Sequence, residues 1–402
     1  MHPTDASAAT QRTDTPKDLG DVLAFGPNTF VDCETLERGA LEQGSGAYTG
    51  LAFERMRESC DILQAAHERG DEIYGLTTGF GPHVAFGADG DACVQGAGLI
   101  DHLGAGCGNY ASAEVARASV VARCQALAQG RSGVSLDAAC AMLELLNRDI
   151  TPAIPEVGSV GASGDLIPLA HVAKVLTGEG SVIDAEGNTK PAREALEEAG
   201  IEPMPLSARD ALGIVNGTSF MTAYAALALA KAERLVTHAE RLTGWLMRSL
   251  GSRRQSLDPR LHEARGHVGQ QRSAAAILEF AGVYDEDTSR PLQEVYSVRC
   301  APQIIGACRD QIDHARALIE REINGVNDNP VISGTVDDPA VLHGGNFQGQ
   351  QLGFAADTLN SAITQVALLI ERQLDVLCNP ELNGGAPLLL AHTPGPTSGM
   401  AG

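Results

Sequence analysis

Lysine is nearly missing from this chain: of 29 basic residues only Lys17, Lys174, Lys190 and Lys231 are lysines. Bases are short overall, because 51 acids leave a net charge of -22. A field of that sign repels phosphate backbones and anionic lipid, which argues against nucleic acid and membrane surfaces as partners. The nine cysteines contain no C-x-x-C pair and their number is odd. Reduced thiols in a cytoplasmic protein are the simplest expectation, and a zinc site has no support, so no metal is expected. The N-terminus lacks the basic and apolar regions of a signal peptide. Every apolar run long enough to cross a bilayer is interrupted by charge, so no membrane span is expected. No Gly-Lys-Ser/Thr run exists for a Walker loop, and no G-x-S-x-G for a hydrolase elbow.

What is present is a large helical protein. The 402 residues, 44% of them apolar and 20% charged, suffice for a large core in one large domain or in two or three smaller ones. Residues 1–20 are polar and proline-dotted and read as a disordered arm. Apolar residues recur at helical spacing over Phe53–His67, Glu114–Gln129, Leu136–Asn147, Gln303–Asn324 and Gly349–Cys378. Ser219–Leu250 is the longest such run, without proline and without glycine before Gly244. Its 32 residues span roughly 48 Å as a helix and are apolar on too many faces for a lone surface helix. Short strands are expected near Ser181–Asp184 and Leu342–His343, and residues 325–350, rich in Gly, Pro, Asn and Asp, read as loop. The fold class is therefore mainly α: a long-helix bundle (215–402) joined to a smaller, glycine-rich, mixed N-terminal domain (21–214).

One short stretch concentrates the chemistry. In "GSVGASGDLIPLAH", residues 158–171, Ala162-Ser163-Gly164-Asp165 sits in a glycine-rich turn before an apolar run. Alone, Ala-Ser-Gly reads as a tight turn. It has company, however: "YGLTTGFGP" at 74–82, "VNGTSFMT" at 215–222, "YSVRCAPQ" at 296–303, "INGVNDNP" at 323–330 and "LHGGNF" at 342–347. In that order, from about Asp21 to the last residue, these motifs resemble the aromatic amino acid ammonia-lyases, the histidine, phenylalanine and tyrosine enzymes.

The resemblance implies that the turn modifies itself. The Gly164 nitrogen attacks the Ala162 carbonyl and two waters are lost, leaving a 4-methylidene-imidazole-5-one, an electrophile built without any external cofactor. Residue types agree with that role: glycine offers an unhindered nitrogen, serine a departing hydroxyl, and alanine an uncrowded carbonyl. Asp165 is expected to help hold the turn. Tyr74 matches the family's catalytic base, although a tyrosine, with a reference pKa of ~10, is useful only where its phenolate is favoured. The glycine-rich loop after it matches a mobile lid. Arg299 matches the arginine that grips the substrate carboxylate, a task suited to a planar fork. Asn216, Tyr296, Gln303 and Phe347 match pocket-lining positions; Asn216, preceding a glycine, reads alone as turn chemistry.

Substrate preference is sought in "GLIDHLGAGCG", residues 98–108. The pair His102-Leu103 resembles the tyrosine enzymes, whereas phenylalanine enzymes tend to carry Phe-Leu and histidine enzymes Ser-His. An imidazole can bond a phenolic hydroxyl, and a site built around that bond rejects the analogue lacking it. The expected reaction is L-tyrosine to trans-p-coumarate, by a homotetramer with sites shared among subunits. Histidine or phenylalanine lyase, an aminomutase using the same electrophile, or a non-catalytic subunit remain alternatives. Gly98 and Val268 depart from the family pattern, where an asparagine and a proline are usual. Family chains also continue well beyond the last residue here, so a fragment or a shortened form is expected.

Overall fold

The computed structural model describes residues 22–41, 44–88 and 90–401. The N-terminal arm expected over residues 1–20 lies outside that set.

Four helices form the body: Ser219–Leu250, Val268–Ala281, Ala301–Ile323 and Gln350–Cys378. All but one of their pairings are extensive, and Ala113–Ala128 packs on the first of them. Ser219–Leu250 begins and ends where the sequence says it should, closing on Gly251 in the left-handed region (φ 63°). Its single glycine marks a crossing: a Cβ on Gly244 would lie 2.7 Å from the Ile277 carbonyl oxygen and from the Ala281 nitrogen. Only glycine lets the two backbones meet there. Taken end to end, Ala208–Leu250 is long and apolar enough to cross a membrane, but 83% of its most apolar window is buried within the molecule. Packing accounts for its apolar faces.

The other helical expectations hold to within a turn, as Gly50–Arg69, Ala113–Ala128 and Leu136–Asn147. Ser112 and Ser135 cap the latter two through hydroxyl bonds to Val115 and Ala138. The strand expected near Ser181 is present and pairs antiparallel with Thr189–Pro191. The 325–350 stretch is not all loop. Val331–Gly334 and Pro339–Leu342 form an antiparallel hairpin. Ile332 is buried there in a cluster with Leu63 of helix Gly50–Arg69 and Ile73 of the segment after it. Burial of one β-branched face outweighs the loop-forming composition around it. Two further two-stranded sheets were not foreseen, Leu23–Phe25 with Gly46–Tyr48 and Cys107–Tyr110 with Pro155–Val157. A continuous cluster of buried side chains runs from Leu23 to Val376.

Candidate active site

The Ala162–Gly164 turn stands where the N-terminal half meets the N-terminus of the long helix. Gly164 has φ +76°, and a Cβ there would lie 2.6 Å from the Gly217 carbonyl oxygen. No other residue fits that conformation in that space. The turn is held from both sides. Asn216 Nδ2 donates to the Ser163 carbonyl oxygen (3.3 Å), and the Asp165 N–H donates to the Gly217 oxygen (2.7 Å). Ser159 Oγ donates to Asp165 Oδ1 (2.7 Å) and accepts from the Gly161 N–H (3.1 Å). Asp165 Oδ2 accepts from the Met221 N–H (2.8 Å), a free donor at the first turn of the long helix.

Asp165 is fully buried. Burial pushes its carboxyl up to about 6, against the downward pull of its bonds to Met221 and Ser159. Beneath the clamp lies a charged cluster. Arg123, fully buried, donates to Asn327 Oδ1 (2.8 Å) and Gly213 O (3.2 Å). Arg209 donates to Asp328 Oδ2 (2.7 Å). Through Arg123 these bonds tie Gly213 to Asn327, and through Arg209 they tie the same helix to Asp328, beneath the clamp.

A cavity of about 920 Å³ opens on one side of the turn. It gathers six of the residues singled out in the sequence: Tyr74, His102, Leu103, Ser163, Asn216 and Phe347. Tyr74 is placed by its own loop. Its phenol oxygen accepts from the Gly81 N–H (2.8 Å), its ring meets Phe80 edge-on, and its backbone N–H donates to His343 Nε2 (3.1 Å). His102 lies in the last turn of helix Ala92–Leu103. That helix is tied to the Tyr74 loop by Gln95 Nε2, which donates to the Thr78 carbonyl oxygen (3.0 Å).

Other residues of the cavity wall were not singled out, among them Phe80, Gln95, Leu99, Leu212 and Asn329. The signal for two of them was legible: Gln95, Leu99 and His102 recur at helical spacing on one face. Asn329 lies inside a quoted motif, yet nothing local says that it faces the cavity.

Tyr296, Arg299 and Gln303 do not line this cavity. Tyr296 is exposed and Arg299 stacks over its ring, 4.8 Å from the centroid. Arg299 Nε and Gln303 Oε1 are buried without partners. Gln303 borders a separate groove with Cys308 and Asp357, between helices Ala301–Ile323 and Gln350–Cys378. On the turn's other side, a second cavity of about 840 Å³ reaches Ala162 and is walled by Phe220, Met221 and Tyr224.

The turn is open to the cavities on its first two residues and closely packed at its third. Gly164 admits no Cβ, Ala162 and Ser163 are exposed to the cavities, and Asn216 beside them keeps a buried Oδ1 without a partner. Among the described residues no cluster of His, Cys, Asp or Glu could hold a metal.

Comparison with known proteins identifies the family. The family model described as aromatic amino acid lyase matches residues 32–402. A histidine ammonia-lyase of Treponema denticola is 37% identical over 353 residues, covering 87% of this chain and 69% of its own length. A tyrosine ammonia-lyase of Cupriavidus metallidurans is 39% identical over 355 residues, covering 82% and 66%. The solved tyrosine aminomutase of Streptomyces globisporus superposes with a TM-score of 0.87 at 32% identity, over 94% of this chain and 75% of that one. The chain spans about two thirds of the length of the curated relatives it matches.

Proposed function

The chain belongs to the aromatic amino acid lyase family, and we propose that it is an ammonia-lyase converting L-tyrosine to trans-p-coumarate. The observation that carries this reading is the meeting of Tyr74, His102 and Ser163 on the wall of one cavity.

Maturation is proposed to close a ring within the turn. The Gly164 nitrogen bonds to the Ala162 carbonyl carbon, whose oxygen leaves as water with the Gly164 and Ser163 N–H hydrogens, leaving a C=N bond to the Ser163 nitrogen. Ser163 then loses its hydroxyl and its Cα hydrogen as a second water. The resulting methylidene-imidazolone supplies the electrophile that makes the amino group a competent leaving group.

The remaining work falls to side chains. Tyr74 takes the Cβ proton, and the Gly81 N–H fixes where its oxygen sits. His102 bonds the substrate phenol, while Leu103, Leu99 and Phe80 enclose the ring. Asn216 holds the turn through the Ser163 carbonyl and keeps an unsatisfied acceptor beside it. Arg299 binds the substrate carboxylate. Because Arg299, Tyr296 and Gln303 lie outside the cavity, they are assigned to the cavity of a neighbouring copy in a homotetramer.

Two measurements test the reading. The peptide spanning Gly158–Lys174 should weigh two waters less than its encoded mass. Tyrosine, phenylalanine and histidine should then be compared by the ultraviolet absorbance of their unsaturated products, alongside chiral analysis for a β-amino acid. Release of p-coumarate ahead of the other products supports the proposal. Urocanate as the main product makes the protein a histidine lyase, and accumulation of β-tyrosine makes it an aminomutase, as two of the relatives are named.

A further inference from the structure

The clamp on the turn has a back as well as a front. Asn216 bonds Ser163, Gly217 bonds Asp165, and Met221 bonds the Asp165 carboxyl. Thr218, between them and fully buried, faces the other way. Its hydroxyl donates to Glu322 Oε1, in the last turn of helix Ala301–Ile323. The Glu322 carboxylate is half-buried, five residues before Asn327. Asn327 Oδ1 accepts from the buried Arg123. One bond thus ties the clamp to the end of helix Ala301–Ile323, just before the chain enters the charged cluster below.

We infer that Glu322 is a positioning residue for maturation: through Thr218 it fixes the 216–218 strip against which the Ala162–Gly164 turn must bend to cyclise. This rests on the reading that the turn does cyclise. Ring closure needs the Gly164 nitrogen at the Ala162 carbonyl carbon, and misplacement by an ångström can cost ~100-fold in rate. Gly217, bonded to Asp165 and crowding the Cβ position of Gly164, is the contact through which a shift of Thr218 would reach the reacting nitrogen. Glu322 touches neither reacting group.

The test follows the mass of the Gly158–Lys174 peptide over time after cell-free synthesis, together with the thermal midpoint of each variant. Glu322→Leu removes the acceptor, Glu322→Gln keeps one for the Thr218 hydroxyl, and Thr218→Val removes the donor while keeping the shape. Loss of the two waters should slow at least about tenfold in Glu322→Leu and Thr218→Val, with midpoints close to that of the unmutated chain. Glu322→Gln should stay close to the unmutated rate. If Glu322→Leu does not fold, Thr218→Val decides. Cyclisation of a folded Glu322→Leu or of Thr218→Val at the unmutated rate overturns the inference alone. An encoded mass in the unmutated chain overturns the proposed maturation, and this inference with it.

Discussion

The Tyr74 phenol oxygen accepts a hydrogen bond from the Gly81 N–H at 2.8 Å, seven residues further along the same loop. The loop that would cover the substrate therefore also sets the position of the phenol proposed as the base. A base must sit within hydrogen-bond reach of the proton it takes, and here that reach depends on one backbone donor.

Removing the base should separate catalysis from maturation. Tyr74→Phe keeps the ring against Phe80 and loses only the oxygen. We expect kcat to fall about 100- to 10,000-fold. The Gly158–Lys174 peptide should still weigh two waters less, because Tyr74 forms none of the bonds found on the turn. A variant with the encoded turn mass would mean that Tyr74 acts in maturation instead.

Gly164→Ala tests the turn itself. The φ of +76° is unfavourable for alanine by about 1–2 kcal/mol, and the added methyl meets the Gly217 oxygen. The variant should have a lower thermal midpoint and a turn of encoded mass. Normal maturation in Gly164→Ala would show that the cradle yields more than its packing suggests.

Much of this site could be read from the chain because its motifs, taken in order, resemble one family. Alone, Ala162-Ser163-Gly164 and Asn216 read only as turns, since the contacts that join them, such as Asn216 to Ser163, lie 53 residues apart. The long helices were equally legible, since Ser219–Leu250 carries an unbroken apolar period and a left-handed glycine at its end. What escaped is non-local. The Arg123–Asn327 and Thr218–Glu322 bonds join residues 204 and 104 apart, and no spacing rule signals them. Of the hairpin at Val331–Leu342, the strand ending at Leu342 was expected, but Val331–Gly334 escaped because the composition around it is that of a loop, and only the burial of Ile332 marks it as a strand.

Asp165 gives the protein a pH signature. Its folded value of about 6 exceeds the ordinary 3.8, so between those limits the folded state holds the proton more tightly than the unfolded one. This group's contribution is therefore present below pH 3.8 and is lost as pH rises towards 6. Asp165→Asn removes that slope, which is at most about 1.4 kcal/mol per pH unit. Urea unfolding across this range should show the stability of the unmutated chain, relative to Asp165→Asn, declining as pH rises. A difference that is flat or rises with pH would show that the carboxyl is not held protonated by burial.

Sharing of sites between copies predicts complementation. If Arg299 serves a neighbour's cavity, Tyr74→Phe and Arg299→Met are each inactive alone, yet a co-expressed mixture assembles some cavities with both residues intact. Each cavity draws its tyrosine and its arginine from different copies, so random assembly restores about a quarter of full activity. Mixing after separate purification, without subunit exchange, should restore none. No recovery on co-expression would place Arg299 and Tyr74 in the same copy's site, or Arg299 outside the site altogether.

The last prediction concerns specificity and sits on one side chain. His102 lines the cavity at the end of a helix whose preceding turns supply Leu99 and Gln95. A pocket that bonds a hydroxyl rejects the analogue lacking it because its own polar group is then left unpaired. His102→Phe removes that penalty and offers the ring an apolar neighbour. The kcat/KM ratio of tyrosine to phenylalanine should fall by at least about 100-fold, with the phenylalanine value rising in absolute terms as well. If tyrosine and phenylalanine lose activity in equal measure, His102 supports the cavity wall without reading the substrate. Discrimination must then come from the Phe80 loop or from a neighbouring copy, and the choice of tyrosine over histidine would have to be reopened from the products themselves.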